Sequence, residues 1–183
     1  MDKYITTPLN DQVTTDLKSG DMVYISGIIY TARDAAHLRM YNALRAGEEL
    51  PFDIKGSIIY YMGPSPARDG RVIGSAGPTT ASRMDKYTPE LIDLGLKGMI
   101  GKGKRTEEVI QAIIRNKAVY LAAIGGAGAL LSKAIVSSTV IAYDDLGTEA
   151  IRKLEVKNLP AIVIVDSEGN NLYETAIEEF KDK

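Results

Sequence analysis

The residues best suited to chemistry lie in one run, from Gly74 to Asp85. The run has the sequence GSAGPTTASRMD and combines two glycines, a proline, four hydroxyl side chains, an arginine and an aspartate. Small polar side chains compete with helical hydrogen bonds and Pro78 removes a donor, so a turn after a strand is favoured over a helix. Such a loop presents backbone N–H groups, hydroxyls and a guanidinium, which are the groups needed to bind an anion and move a proton.

A cation stands at the start of a predicted helix. Arg33 opens that helix, where the dipole disfavours positive charge, so an anionic ligand would explain its position. Taken alone, a solvated ion pair of Arg33 with Asp34 or with another nearby acid is the simpler explanation. His37 follows one turn later and is expected to be held by a local partner rather than to act as a base.

Two further cations lie in loops near the run. Arg83 could bind an anion beside the hydroxyl of Thr79, or it could form a structural ion pair with Asp85. Lys102 lies between two glycines, which allow a close approach of backbone to a ligand, but the spacing fails the pattern of a phosphate loop. Nearby cations would lower the cost of using Thr79 in proton transfer; its alternative is a plain turn hydroxyl.

A second glycine cluster, GGAG at 125–128, also fails the dinucleotide-binding pattern and is interpreted as close helix–strand packing. The residue types therefore predict an anion-binding domain and leave its chemistry open.

Short strands and helices must position these groups, and strands outnumber helices. Periodicity and turn residues predict strands over 22–30, 57–62, 71–76, 99–100, 118–124, 139–143, 161–166 and near 172. They predict helices over 33–46, 88–95 and 125–133 and from Thr106 onward. The segment 151–156 alternates imperfectly and fits either a helix or a strand, and it is interpreted as a strand. A bulge is predicted at Ser26–Gly27, in the strand over 22–30. Because the two kinds of element do not alternate strictly, we expect an α/β layered domain with a mixed sheet.

Composition excludes several classes of function. The chain has 183 residues, a net charge of −2, one histidine and no cysteine. We therefore expect one domain, no nucleic-acid partner, no disulfide and no metal site within this chain, so that any metal chemistry comes from another chain. The longest uncharged run, 118–132, has fifteen residues and contains glycines, which is short of the ~20 apolar residues of a membrane helix. The start of the chain has no apolar signal segment, so a cytoplasmic location is expected.

Taken in order, these segments resemble the β subunit, or C-terminal domain, of class I iron–sulfur fumarases and the related L(+)-tartrate dehydratases. The matching segments are SG at 26–27, TARDAAH at 31–37, YYMGP at 60–64, GSAGPTT at 74–80, RMD at 83–85, IGKG at 100–103, LAAIGG at 121–126, LPA at 159–161 and VD at 165–166. The resemblance covers roughly residues 20–173, which is nearly the whole chain.

The resemblance implies a single swivelling β/β/α domain over 1–183 with its core at about 20–173. It also implies a hetero-oligomer with a cysteine-containing α subunit, which carries a [4Fe–4S] cluster with one open iron; this chain binds none. The implied reaction is the reversible hydration of fumarate to (S)-malate, a step of the tricarboxylic acid cycle. This chain would be inactive alone.

The same resemblance implies roles for individual residues. Arg33, Arg83 and Lys102 would bind the substrate carboxylates, with Arg83 and Lys102 also stabilising the charge that develops. Thr79 would exchange the proton, helped by an acidic group of the partner. Positions that orient these groups are Asp34, His37 and Asp85. The alternatives are the β subunit of L(+)-tartrate dehydratase and a non-catalytic anion-binding or assembly domain.

Overall fold

The structure is a computed structural model that describes residues 2–64, 72, 74, 77–124 and 131–181. Its strands are β1 (Asp2–Thr6), β2 (Met22–Thr31), β3 (Ile58–Tyr60), β4 (Gly98–Gly101), β5 (Val119–Ala123), β6 (Ile135–Ala142) and β7 (Ile151–Val165). The α-helices are α1 (Asp11–Asp16), α2 (Asp34–Arg45), α3 (Thr88–Asp93), α4 (Glu107–Asn116) and α5 (Leu172–Lys181), and short 3-10 helices span Ala81–Met84 and Asp144–Glu149. The predicted mixed α/β domain is confirmed.

The seven strands form a mixed sheet in the order β1-β2-β3-β4-β5-β7-β6, with a further pairing between β2 and β7. Neighbours from β1 through β5 are parallel, whereas β7 runs antiparallel to β2, β5 and β6. Because β2 also pairs with β7, the strands β2, β3, β4, β5 and β7 close into a ring. The parallel strands β2 to β5 therefore end at one edge of this ring.

Alternation along the strands separates two hydrophobic cores. Ile58 and Tyr60 of β3 belong to the cluster shared by the strands of the ring, whereas Ile59 between them belongs to the second cluster. Val109 and Ile113 of α4 pack into this second cluster, on the outer face of the ring. Successive side chains of a strand point to opposite faces, so the ring holds one core inside and a second under the helices.

Several predicted elements are confirmed in detail. The bulge in β2 lies where it was predicted, since the register against β7 shifts between Ile25 and Gly27. The predicted strands 151–156 and 161–166 are one continuous strand, β7, in which Asn158 adopts a positive φ of 50°. The predicted strand at 71–76 and most of the predicted helix at 125–133 lie outside the described residues.

The predicted strand near Leu172 is wrong, because helix α5 begins there. Asn171 starts this helix: its side-chain Oδ1 accepts a hydrogen bond of 3.1 Å from the backbone N–H of Tyr173. Its carbonyl accepts a further bond of 3.1 Å from Thr175 N–H. A capping asparagine followed three residues later by Glu174 is a helix-start pattern that outweighs the short apolar stretch. Among the described residues, no helix is both long enough and apolar enough to cross a membrane.

Candidate functional site

The chemically promising residues follow the ends of three neighbouring strands. Arg33 comes two residues after β2, Tyr61 directly after β3, and Lys102 directly after β4. These strands are parallel neighbours, so their carboxyl ends meet at the same edge of the ring. Ligands of α/β sheets bind outside the carboxyl ends of the strands, which makes this edge the candidate site.

Backbone hydrogen bonds hold Thr79 beside Lys102. The N–H of Thr79 donates to the carbonyl of Tyr61 at 2.6 Å, and the N–H of Lys102 donates to the carbonyl of Thr79 at 3.3 Å. Ala81 N–H then donates to the carbonyl of Lys102 at 2.8 Å, and Thr80 and Lys102 form a parallel bridge. The loop that the sequence predicted as an anion-binding turn is thus paired with the loop that carries Lys102.

This close pairing requires a residue without a side chain at Gly101. A Cβ atom placed there would lie 2.7 Å from Cδ2 of Tyr61 and 3.1 Å from Cβ of Ala81. Both distances are shorter than carbon contacts normally allow. The glycine before Lys102 therefore serves the approach of two protein segments.

Arg83 forms its ion pair with Asp34. The Nε of Arg83 donates to Oδ1 of Asp34 at 3.1 Å, and 53% of the Arg83 side chain stays exposed. The two simpler ion pairs considered from the sequence, Arg33 with Asp34 and Arg83 with Asp85, do not form among the described residues. Successive residues at a helix start do not face each other, which leaves Asp34 free to reach across to Arg83.

Arg33 lies against the segment after β3. A Cβ atom on Gly63 would come within 2.6 Å of Nη1 of Arg33, so a glycine leaves room for the guanidinium. Within the described part of the chain, the buried Nε of Arg33 and the buried Oδ2 of Asp34 have no hydrogen-bond partner. Buried polar atoms normally have a partner, so these two groups leave hydrogen-bonding capacity unused at this edge.

His37 is buried behind Arg33. Its Nδ1 lies 2.8 Å from the carbonyl oxygen of Arg33, which can only accept, so the proton is on Nδ1 and Nε2 is left as the acceptor. Its ring packs edge-on against Tyr61 and also contacts Tyr87, with centroids 5.5 and 6.1 Å away. Burial lowers the pKa of His37 to about 4, against the opposing effect of the Arg33 carbonyl. The imidazole is therefore neutral near pH 7 and fixes the carbonyl next to the Arg33 side chain.

Asp85 binds a residue that the sequence reasoning missed. Its Oδ1 accepts from Nε of Arg105 at 2.7 Å, and its Oδ2 accepts from the N–H of Thr106 at 2.7 Å. The Arg105 side chain is fully buried and its Nη2 donates to the hydroxyl of Tyr61 at 3.0 Å. Arg105 stands in the stretch GKGKR, which resembles an exposed basic loop. No local signal in that stretch indicates a buried arginine.

The edge thus carries the cations Arg33, Arg83 and Lys102, and the backbone of Thr79 is paired with that of Lys102. Within the described residues, neither Arg33 nor Lys102 forms an ion pair with a carboxylate, and Lys102 is exposed. Among the described residues, no group of three or more His, Cys, Asp or Glu side chains is placed to hold a metal ion. Fold and site together define an α/β domain whose cationic edge is suited to bind a small anion.

Comparison with known proteins identifies the family of this domain. Residues 4–176 match the family described as Fumarase C-terminus. The chain belongs to this family.

Its relatives fall into two kinds. The chain is 41% identical over 187 residues to a putative L(+)-tartrate dehydratase subunit beta of Methanocaldococcus jannaschii, with 99% of this chain and 96% of the relative covered. It is 40% identical over 152 residues to the aerobic class I fumarate hydratase of Escherichia coli, with 82% of this chain and 28% of the relative covered. Fumarate hydratase 2 of Leishmania major is 40% identical over 160 residues, again with 28% of the relative covered. The chain therefore spans little more than a quarter of the fumarate hydratases and almost all of the separate subunit.

Proposed function

We propose that this chain is the β subunit of a hydro-lyase that hydrates fumarate reversibly to (S)-malate and is active only with an α subunit. The observation that carries the proposal is the meeting of Arg33, Arg83, Lys102 and Thr79 at one edge of the ring. Their positions follow β2, β3 and β4, and backbone bonds hold Thr79 and Lys102 side by side. The proposed reaction is that of the class I fumarate hydratases, which are among the relatives of this chain.

The three cations are proposed to bind the two carboxylates of the substrate. Arg33 and Lys102 form no ion pair within the described residues, and the pair of Arg83 with Asp34 is exposed and easily exchanged. A guanidinium can donate two parallel hydrogen bonds to one carboxylate and so fix its orientation. Positive charge close to C3 also stabilises the charge that develops when the C3 proton leaves.

Thr79 is proposed to take and return that proton. A threonine hydroxyl is a weak acid, so it needs neighbouring cations and an accepting group to act at neutral pH. Lys102 lies beside it in the chain pairing, and the accepting group is proposed to be an acidic side chain of the partner. In malate dehydration Thr79 first passes its own proton to the acidic group of the partner and then takes the proton from C3. The C3–H electron pair forms the C2=C3 bond as the C2–O bond breaks, and the departing hydroxide takes up the proton held by that acidic group and leaves as water.

The residues of this chain do not fit a [4Fe–4S] cluster, because the sequence contains no cysteine. We propose that the partner subunit carries it, which agrees with the name subunit beta of the methanogen relative. The chemistry supplied by such a cluster is Lewis acidity at the substrate hydroxyl. The longer fumarate hydratases contain further sequence that could correspond to such a subunit, since the present chain matches 28% of their length.

A second candidate function is the dehydration of L(+)-tartrate by the same residues. It is favoured by one observation: the methanogen relative matches over 96% of its length and carries that name. Tartrate differs from malate by one hydroxyl, so the cationic edge would bind either dicarboxylate. A non-catalytic anion-binding or assembly domain is the third alternative.

The decisive experiment expresses this chain together with the cysteine-containing α subunit under anaerobic conditions. Fumarate hydration and tartrate dehydration are then measured on the purified complex, with the isolated chain as a blank. Turnover of fumarate supports the first function and turnover of tartrate alone supports the second. If the complex with a loaded cluster turns over neither, both enzymatic functions are wrong; activity of the isolated chain would refute the need for a partner.

The role of Thr79 is tested by Thr79→Ala, with Thr80→Ala as the matched control. Thr80 is the exposed neighbour, and its replacement removes the same atoms. Loss of a proton-transfer group is expected to lower kcat by ~100-fold or more in Thr79→Ala, with the complex intact. The control should stay within about twofold of the parent on the same scale. Equal rates in the two variants would remove Thr79 from the mechanism.

A further inference from the structure

A buried ion pair lies directly beneath the cationic edge. The side chain of Arg105 is 0% exposed and that of Asp85 is 4% exposed. Besides its bond to Asp85, Arg105 donates to the hydroxyls of Tyr61 at 3.0 Å and Thr88 at 3.2 Å. The guanidinium also lies 4.7 Å from the ring centroid of Tyr120 and 5.2 Å from that of Tyr61.

The partners of this arginine belong to the segments that carry the site. Asp85 directly follows the 3-10 helix that presents Arg83, and its second oxygen binds the N–H of Thr106. Arg105 itself ends the loop that begins with Lys102. Tyr61 holds the backbone of Thr79 through its carbonyl and contacts the ring of His37. One guanidinium thus ties together the loops of Arg83, Lys102 and Thr79.

Stability alone is a poor explanation for this arrangement. Removing two charges from water costs more than most buried pairs return, and apolar replacements of similar volume are often as stable. Direct binding of substrate does not explain it either, because aromatic rings and hydroxyls surround the buried guanidinium. A fixed geometry between loops is what such a fully bonded pair provides.

We propose that Arg105 is a positioning residue: through Asp85 and Tyr61 it sets the spacing between Arg83 and Lys102 around Thr79. The inference rests on the proposed function, because it assumes that these two cations bind the two ends of one dicarboxylate. A correct span between cations matters for a ligand with two carboxylates and has little effect on a ligand with one. The ratio of the two affinities therefore reports the spacing.

The experiment measures inhibition of the assembled α–β complex by succinate and by propionate, well below the unfolding temperature. Arg105→Met is expected to weaken the binding of succinate by at least tenfold and to change the binding of propionate by less than about twofold. It should also lower kcat for fumarate, since small displacements of binding groups are costly. Arg105→Lys keeps the charge without the planar fork and should recover only part of the succinate affinity. Equal weakening of both inhibitors in Arg105→Met would overturn the proposal.

A double variant separates positioning from stability. Arg105→Met combined with Asp85→Leu removes both buried charges, so its unfolding temperature should exceed that of Arg105→Met alone. The ratio of succinate affinity to propionate affinity should nevertheless stay as low as in Arg105→Met. If the double variant regains the parental ratio and kcat, Arg105 acts only through stability and the proposal is wrong.

The control is Lys3→Met, which breaks a partly buried pair of 2.8 Å with Asp21. That pair lies next to the start of β2, at the opposite edge of the ring, and its loss should leave the ratio unchanged. If instead the ratio falls as far as in Arg105→Met, the effect is not specific to Arg105.

A readout without turnover keeps this proposal distinct from the function above. Hydrogen exchange of the backbone over 77–85 and 101–106 should accelerate in Arg105→Met and in the double variant, but not in Lys3→Met. A complex that turns over neither substrate yet shows this pattern would refute the function and leave the positioning role. Unchanged exchange in these segments would refute the positioning role, whatever the activity.

Discussion

The neutral state of His37 can be tested through the pH dependence of stability. Burial lowers the pKa of His37 from 6.5 to about 4 in the folded chain. Below the ordinary value the unfolded chain takes up a proton that the folded chain does not, so the free energy of unfolding falls as the pH falls. The contribution of His37 is fully present above the ordinary pKa and is lost progressively toward pH 4.

The size of the effect follows from the separation of the two pKa values. At ~1.4 kcal/mol per unit, the separation corresponds to about 3 kcal/mol in total, of which about 2 kcal/mol is lost between pH 7 and pH 5. Carboxylates also titrate in acid, so the parent curve alone is ambiguous. The His37→Asn variant keeps a donor near the Arg33 carbonyl but has no proton to gain. The difference between parent and variant isolates the imidazole.

The assay is urea unfolding at a series of pH values, with the free energy obtained by linear extrapolation. The parent is expected to lose about 2 kcal/mol more than His37→Asn between pH 7 and pH 5. Because the chain has one histidine, its imidazole resonances can also be assigned without further variants. Parallel stability curves for parent and variant, or an imidazole that titrates near its ordinary pKa, would refute the buried neutral state.

Two backbone predictions test the local geometry. Gly101→Ala places a Cβ 2.7 Å from the Tyr61 ring and should destabilise by about 1–3 kcal/mol through overpacking, measured by chemical denaturation. Gly47→Ala is its control, since nothing lies within 4 Å there and only its positive φ of 75° is strained. Lys117 ends α4 in the left-handed region with φ 54°, so Lys117→Gly should stabilise by about 1 kcal/mol. Lys117→Ala removes the side chain without that relief, and an equal gain in both Lys117 variants would refute the strain argument.

Local sequence patterns predicted the elements around the site better than their assembly. Strand β2 with its bulge and helix α4 follow from periodicity and terminal residues, which act within a few neighbours. The closure of the ring through β2 and β7 depends on pairing between residues more than a hundred positions apart, such as Val23 with Ala161. Such pairing has no local signal, so a mixed sheet was the most that composition and order could indicate.

The same limit applies to the site. Residue types alone made Thr79, Arg83 and Lys102 candidates, because glycines and hydroxyls around a cation are a local pattern, and their roles stay predictions. Arg105 could not be found in this way, since its burial comes from elements that meet only in the folded chain.

The exchange of ion-pair partners explains how the edge keeps its charge available. Each oxygen of Asp85 already accepts one bond, from Arg105 and from the N–H of Thr106, and Asp85 forms no ion pair with Arg83 among the described residues. Arg83 pairs with Asp34 instead, and Arg33 has no ion-pair partner among the described residues. The pair that results is exposed, and exposed pairs contribute only ~0–1 kcal/mol, so the proposed binding of a carboxylate at Arg83 would cost little in displacing Asp34. In the mechanism proposed above, the buried pair of Arg105 and Asp85 holds the loops of these cations in place, and the exposed pair leaves Arg83 open to exchange of its partner.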